Sequence, residues 1–145
     1  MKRLVPIVAA LLLAGCAPGN PRASVTNAVV TLPAVPGRPG AAYFTLLSNR
    51  PARLTAITSP QVGRIELHET MSMNGMSRME PLHEVAIAAG TPLIFQPGGR
   101  HAMLYDVAPT LRRGQRVALT FTIEPFPPVT VEAEVRGPGE GFSPR

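Results

Sequence analysis

All three histidines of the chain and five of its six methionines lie between His68 and Met103. Within that stretch His68, Met79, His101 and Met103 are separated by ten, twenty-one and one residues. Two imidazoles and two thioethers form a soft donor set, which suits monovalent copper far better than the hard cations that prefer oxygen. No carboxylate-rich cluster accompanies them, so the chemistry suggested is the holding of Cu(I) and not hydrolysis or phosphate binding.

For four such residues to act together, local structure must point them one way. Asn74-Gly75 is a strong hairpin signal, because a two-residue type I′ turn needs positive φ at both central positions. With that turn, Thr70 faces Met79 and His68 faces Pro81, so Met79 lies diagonal to His68 on one face of the ribbon. Diagonal neighbours are about 7–8 Å apart at the backbone, within reach of two long side chains converging between them. His101 and Met103, two apart on one strand, share a face as well. The sequence thus offers two pre-arranged pairs and leaves to the fold the task of bringing them together. A bulged or longer turn would undo this parity, and spacing alone leaves an accidental run of surface histidines and methionines open.

Neighbouring residues admit smaller expectations. The same parity puts Met71, Met73 and Met76 on the opposite face, as core filler, exposed surface or an accessory thioether cluster; methionine commonly fills gaps. His83 falls outside the spacing and is expected at a solvent-facing strand start. Glu66, Glu69 and Arg100 flank the donors and are candidates to orient an imidazole through its second nitrogen. Tyr105 and Asp106 are assigned to packing and turn formation.

The elements around these residues read as strands. Seventeen prolines and thirteen glycines in 145 residues, with 45% hydrophobic and 16% charged residues, favour a turn-rich all-β domain over long helices. Residues Ser24–Leu32, Ala41–Ser48, Ala52–Ser59, Gly63–Thr70, Val85–Ala88, Pro92–Gln96, His101–Val107, Val117–Glu124 and Val129–Arg136 are strand candidates, the last two showing the clearest alternation. The second and third, split at Asn49–Pro51, suggest a hairpin. The pattern predicts one antiparallel β-sandwich with Greek-key connections over residues 24–136, and a loose, aperiodic tail over 137–145. The formal charge of +5 falls to +3 without Lys2 and Arg3. That excess is spread along the chain, which is no footprint for nucleic acid.

The N-terminus reads as an export signal over residues 1–15: a basic start, a short apolar run and small residues at its end. Leu13-Ala14-Gly15-Cys16 resembles the lipobox of bacterial lipoproteins, in which the cysteine is acylated. Cys16 is therefore the expected lipidation site, with residues 16–23 as lipidated Cys and tether. The alternative is an ordinary secretory signal with an incidental cysteine. Either way the chain is expected outside the cytoplasm, in the periplasm or cell envelope, and a single cysteine offers no disulfide staple. There is no nucleophile elbow, Walker A loop or HExxH sequence, so an enzyme is not indicated.

With its intervals, the set His68, Met79, His101 and Met103 resembles the H-x10-M-x21-H-x-M motif of the periplasmic PCu(A)C copper chaperones. The segments ELHET and PGGRHAML and the two final alternating strands extend the likeness over roughly Ser24 to Arg136. The resemblance implies a cupredoxin-like β-sandwich in which those four residues bind Cu(I). It also implies delivery of copper to the apo copper domain of cytochrome oxidase, CuA or related, beside a Sco-type metallochaperone. A blue-copper role does not follow, because such sites need a cysteine thiolate and the only cysteine is Cys16. Many members look simply secreted, so the lipobox is a departure that implies membrane attachment through a lipid anchor. A copper-sequestering or resistance lipoprotein, using the extra methionines for storage, is the alternative.

Overall fold

Period-two alternation carries through into strand structure along almost the whole domain. The computed structural model describes residues 19–142, so Cys16 and the expected export signal lie outside the described residues. Among the described residues ten strands form: β1 (Ala23–Thr31), β2 (Gly40–Ser48), β3 (Ala52–Thr58), β4 (Val62–Met73), β5 (Met76–Leu82), β6 (Val85–Ile87), β7 (Leu93–Phe95), β8 (Arg100–Val107), β9 (Arg116–Glu124) and β10 (Val129–Arg136). In β9 the buried residues Val117, Leu119, Phe121 and Ile123 alternate with residues that face outward. This is how a strand with one wet face and one dry face reads.

Hydrogen bonding links the strands in the order β5-β4-β8-β2-β1-β10-β9-β3-β6, with β7 paired to β2 off this path. The path folds back on itself around one core. Phe44 of β2 and Phe121 of β9 belong to strands that are not neighbours in that order, yet their ring centres are 4.8 Å apart, edge to face. Phe95 of β7, the cross-strand partner of Phe44, stacks on it at 4.3 Å. These rings and the fully buried Leu46, Leu54, Leu104, Leu119 and Ile123 fill the space between the two layers.

Two strand pairings differ from the sequence reading. β2 and β3 do not pair with each other: β2 joins β8, β1 and β7, whereas β3 joins β9 and β6. Asn49–Pro51 therefore carries the chain from one layer to the other, helped by the buried Ser48, whose hydroxyl donates to the Arg50 carbonyl at 2.6 Å. The sandwich is also not antiparallel throughout, since β1 and β10 run parallel, with Val29 beside Glu134 and Thr31 beside Arg136. A parallel neighbour requires a long connection, and here the connection is the rest of the domain.

Residues 137–142, expected to form a loose end, are held against the domain. Glu140 forms an ion pair with Arg113 at 2.5 Å, and the Phe142 ring lies 5.6 Å from that of Tyr43. One glycine matters for the strands that follow. A Cβ on Gly63 in β4 would come within 2.9 Å of the Cβ of Asp106, whose own φ of 53° bends the end of β8. Only a residue without a side chain lets β4 and β8 close together there.

Candidate metal centre

The β4–β5 hairpin turns on Asn74 and Gly75, at φ of 52° and 76°, the left-handed conformation that a two-residue type I′ turn demands. Its register sets Met73 opposite Met76, Thr70 opposite Met79 and His68 opposite Pro81. On its other side β4 pairs with β8, which sets His68 opposite His101 and Glu66 opposite Met103. Facing residues point to the same side of a sheet, so His68, Met79, His101 and Met103 all emerge on one face of the ribbon β5-β4-β8. The other face carries Leu67, Ala102 and Leu104 into the core. His68, on the middle strand, thus has Met79 diagonal to it on β5 and Met103 diagonal on β8, with His101 directly across.

The two imidazole rings lie 6.0 Å apart, their planes 28° from parallel. His101 is buried, His68 and Met103 are partly buried, and Met79 is 52% exposed. The arrangement is therefore closed around the rings and open to solvent on the side of β5.

Hydrogen bonds fix which nitrogen of each ring is free. Nδ1 of His101 lies 3.0 Å from the carbonyl of Gly99, and a carbonyl only accepts, so Nδ1 carries the proton and Nε2 keeps its lone pair. The same carbonyl also accepts from the backbone N–H of Thr70 at 3.1 Å, using both lone pairs to tie the loop before β8 to β4. At His68 the roles are reversed. Its Nε2 donates to Glu66 Oε2 at 3.1 Å, leaving Nδ1 buried without any hydrogen-bond partner. A buried polar atom without a partner is costly, and an unprotonated ring nitrogen in that state is suited to a metal ion.

Glu66 is itself held in place. The N–H of His68 and the guanidinium of Arg64, 3.0 Å away, keep its carboxyl below the usual carboxylate range, against an opposing push from desolvation. Arg64 also lies over the ring of Tyr105, 4.3 Å from its centre. Desolvation, followed by the negative charge of Glu66, pushes the Tyr105 hydroxyl pKa up. Tyr105 is thus part of this network and not only packing. Of the three residues expected to orient an imidazole, only Glu66 touches a ring. Glu69 and Arg100 face each other one position along, on the opposite side of the ribbon, and form an ion pair at 3.2 Å. His83 is exposed between β5 and β6, and no hydrogen bond joins it to Glu66 or to either ring.

Among the described residues, no group of three or more His, Cys, Asp and Glu side chains is arranged to hold a metal ion. Any ion held by the two imidazoles would therefore draw its further donors from the thioethers that share their face. Carboxylate acceptors behind metal-binding histidines typically contribute 10–100-fold in affinity. Glu66→Ala is expected to weaken metal binding by about that factor. In the metal-free protein it should also reduce the share of the Nε2-protonated tautomer of His68, measured from ring 15N shifts. An unchanged tautomer ratio would mean that Glu66 does not set it.

A family model described as LpqE-like, putative lipoprotein, matches residues 23–135. The chain is 36% identical over 84 residues to an uncharacterized protein of Rickettsia prowazekii (strain Madrid E), which covers 56% of this chain and 46% of that protein. It is 34% identical over 70 residues to a putative lipoprotein of Leifsonia xyli subsp. xyli, covering 48% and 42%. The chain thus spans less than half the length of either relative. Among solved structures it resembles the copper-bound PCuAC domain from PmoF2, with a TM-score of 0.67, 19% identity and coverage of 80% of this chain and 93% of that one. It also resembles the Cu(I) form of DR1885 from Deinococcus radiodurans, with a TM-score of 0.62, 29% identity and coverage of 75% and 74%. For the apo form of DR1885 the TM-score is 0.60, with 26% identity and 97% of each chain covered. The architecture is that of the PCuAC domain, as the motif resemblance implies.

Proposed function

This chain belongs to the LpqE-like family, and from that premise we propose that it is an extracytoplasmic Cu(I) carrier. His68, Met79, His101 and Met103 hold the ion, which passes to the apo copper domain of cytochrome oxidase, CuA or related, with a Sco-type metallochaperone acting beside it. A lipid on Cys16 keeps the carrier at the membrane. The observation that carries this reading is the register that sets all four donors on one face, with an unpartnered Nδ1 on His68 and a fixed tautomer on His101. The Cu(I) form of the DR1885 fold gives further support.

The graded exposure of the donors suits transfer better than storage. The buried His101 and the carboxylate-backed His68 retain the ion, while the exposed Met79 on the outermost strand is the donor that a partner's ligand displaces first. Each displacement exchanges one bond for another, so the ion need never be free in water. The protein is on this reading a carrier and not a catalyst.

The test is transfer. The protein loaded with one equivalent of Cu(I) is mixed with an apo CuA-type domain, the two are separated, and copper is measured in each. Movement of most of the copper to the apo domain is expected. Retention by the donor would favour the alternative, a sequestering or resistance lipoprotein, for which the three additional exposed methionines of the hairpin speak. An acylated Cys16 at the mature N-terminus, read by mass spectrometry, checks the anchor, and an unacylated one removes it.

A further inference from the structure

Beyond Glu69 and Arg100 the ribbon β4–β5 continues without β8, since Glu69 opposite Arg100 is the last pair that joins β4 to β8. β5 also ends the strand order. This free hairpin has two wet faces. Met79 lies on the face of the candidate metal centre, and alternation puts Met71, Met73 and Met76 on the other. All three are exposed, at 43%, 67% and 74%. They pack no core, so gap filling does not account for them.

Their register groups them. Met73 and Met76 face each other directly across the turn, a relation that brings Cβ atoms to about 4.5–5.5 Å. Met71 faces Arg78 and so lies diagonal to Met76 on the same face, about 7–8 Å away at the backbone. Three unbranched side chains at these spacings can turn their sulfur atoms toward one point, given the flexibility of methionine. Between Thr70 and Met79 every strongly apolar side chain is a methionine; there is no Leu, Ile, Val or aromatic residue. A surface built for apolar contact alone would have no need of that restriction, whereas a site for a soft cation requires sulfur. The nearby charges do not oppose it, because Arg78 is paired with Glu80 at 3.2 Å.

We propose that Met71, Met73 and Met76 form a second, weaker site for a soft monovalent cation, Cu(I) or Ag(I), on the reverse face of the hairpin. This site rests on the same cargo chemistry as the carrier reading but uses none of its donors. A three-thioether site without imidazole, open to solvent, exchanges its ion readily. It stands on the face of the hairpin opposite Met79, at the open edge of the sheet.

The test follows methionine methyl resonances during titration of the whole chain with Ag(I), and with Cu(I) under reductant. The first equivalent is expected to shift the Met79 and Met103 methyls, and the second those of Met71, Met73 and Met76. In the triple variant Met71→Leu/Met73→Leu/Met76→Leu, which keeps side-chain volume on an exposed ribbon, the second event should vanish while the first persists. A double variant His68→Ala/His101→Ala should lose the first event and keep the second, so that failure of the carrier site and failure of this site are read separately. Unmoved Met71, Met73 and Met76 methyls at several equivalents, or a second event that survives in the triple variant, would overturn the proposal.

Discussion

Replacing His101 by alanine is expected to weaken Cu(I) binding by more than the roughly 100-fold that loss of an outer-shell partner can cost, measured by competition against a chromophoric Cu(I) chelator. The ring is buried, and its Nδ1 is committed to the Gly99 carbonyl, so Nε2 is presented in a fixed direction without solvent competing for it. Little rotational freedom is lost on binding. His68→Ala should behave similarly, since it removes the nitrogen that the fold leaves buried and unpartnered. Met79→Leu is expected to cost distinctly less, because that thioether is half exposed and must be ordered before it can contribute. Equal affinities for the wild type and the two histidine variants would refute the assignment of the site. A loss confined to Met79→Leu would invert this order of importance.

The second large effect concerns stability. Phe44→Ala is expected to lower unfolding free energy by about 3–5 kcal/mol, the range for removing a buried aromatic ring, as measured by chemical denaturation. Phe44 has no exposed surface and contacts the ring of Phe95 in its own layer and that of Phe121 across the core, so its removal leaves a cavity lined from both layers. Typical domains have only about 5–15 kcal/mol in total, so the variant should be close to its folding limit. Its copper affinity should fall only as far as the folded fraction does, because Phe44 points into the core and not to the face that carries the four candidate donors. A cost below about 1 kcal/mol would mean that the core relaxes to fill the space, contrary to the close packing expected of such interiors.

Several elements were legible because they depend on contiguous residues. Asn74-Gly75 specifies its own turn, the turn specifies the register, and the register puts Met79 diagonal to His68. The alternation in Val117–Glu124 and Val129–Arg136 likewise announces β9 and β10, and their short Pro-rich connection makes them antiparallel neighbours. The misreadings lie where partners are distant. Asn49–Pro51 looks like a hairpin loop from composition, but whether two successive strands pair or part depends on which layer each must cover. The parallel contact of β1 with β10 joins the two ends of the domain and leaves no local trace. Glu69 and Arg100 are as close in sequence to the histidines as Glu66 is, yet their alternation puts them on the reverse side of the ribbon.

The amino-acid order by itself determined the donor chemistry, the all-β character and the two pairs, His68 with Met79 and His101 with Met103, each set on one face by strand geometry. Only the tertiary structure decided that β4 lies beside β8 in the register that puts His68 across from His101. It also decided that Gly99 and Glu66, each accepting from a ring N–H, hold the two imidazoles protonated on different nitrogens. The reason is physical: backbone alternation and turn conformation are fixed within a few residues, whereas the pairing of remote strands is chosen by burial of the whole core. Leu67, Ala102 and Leu104 must face inward, and their doing so turns all four donors outward together.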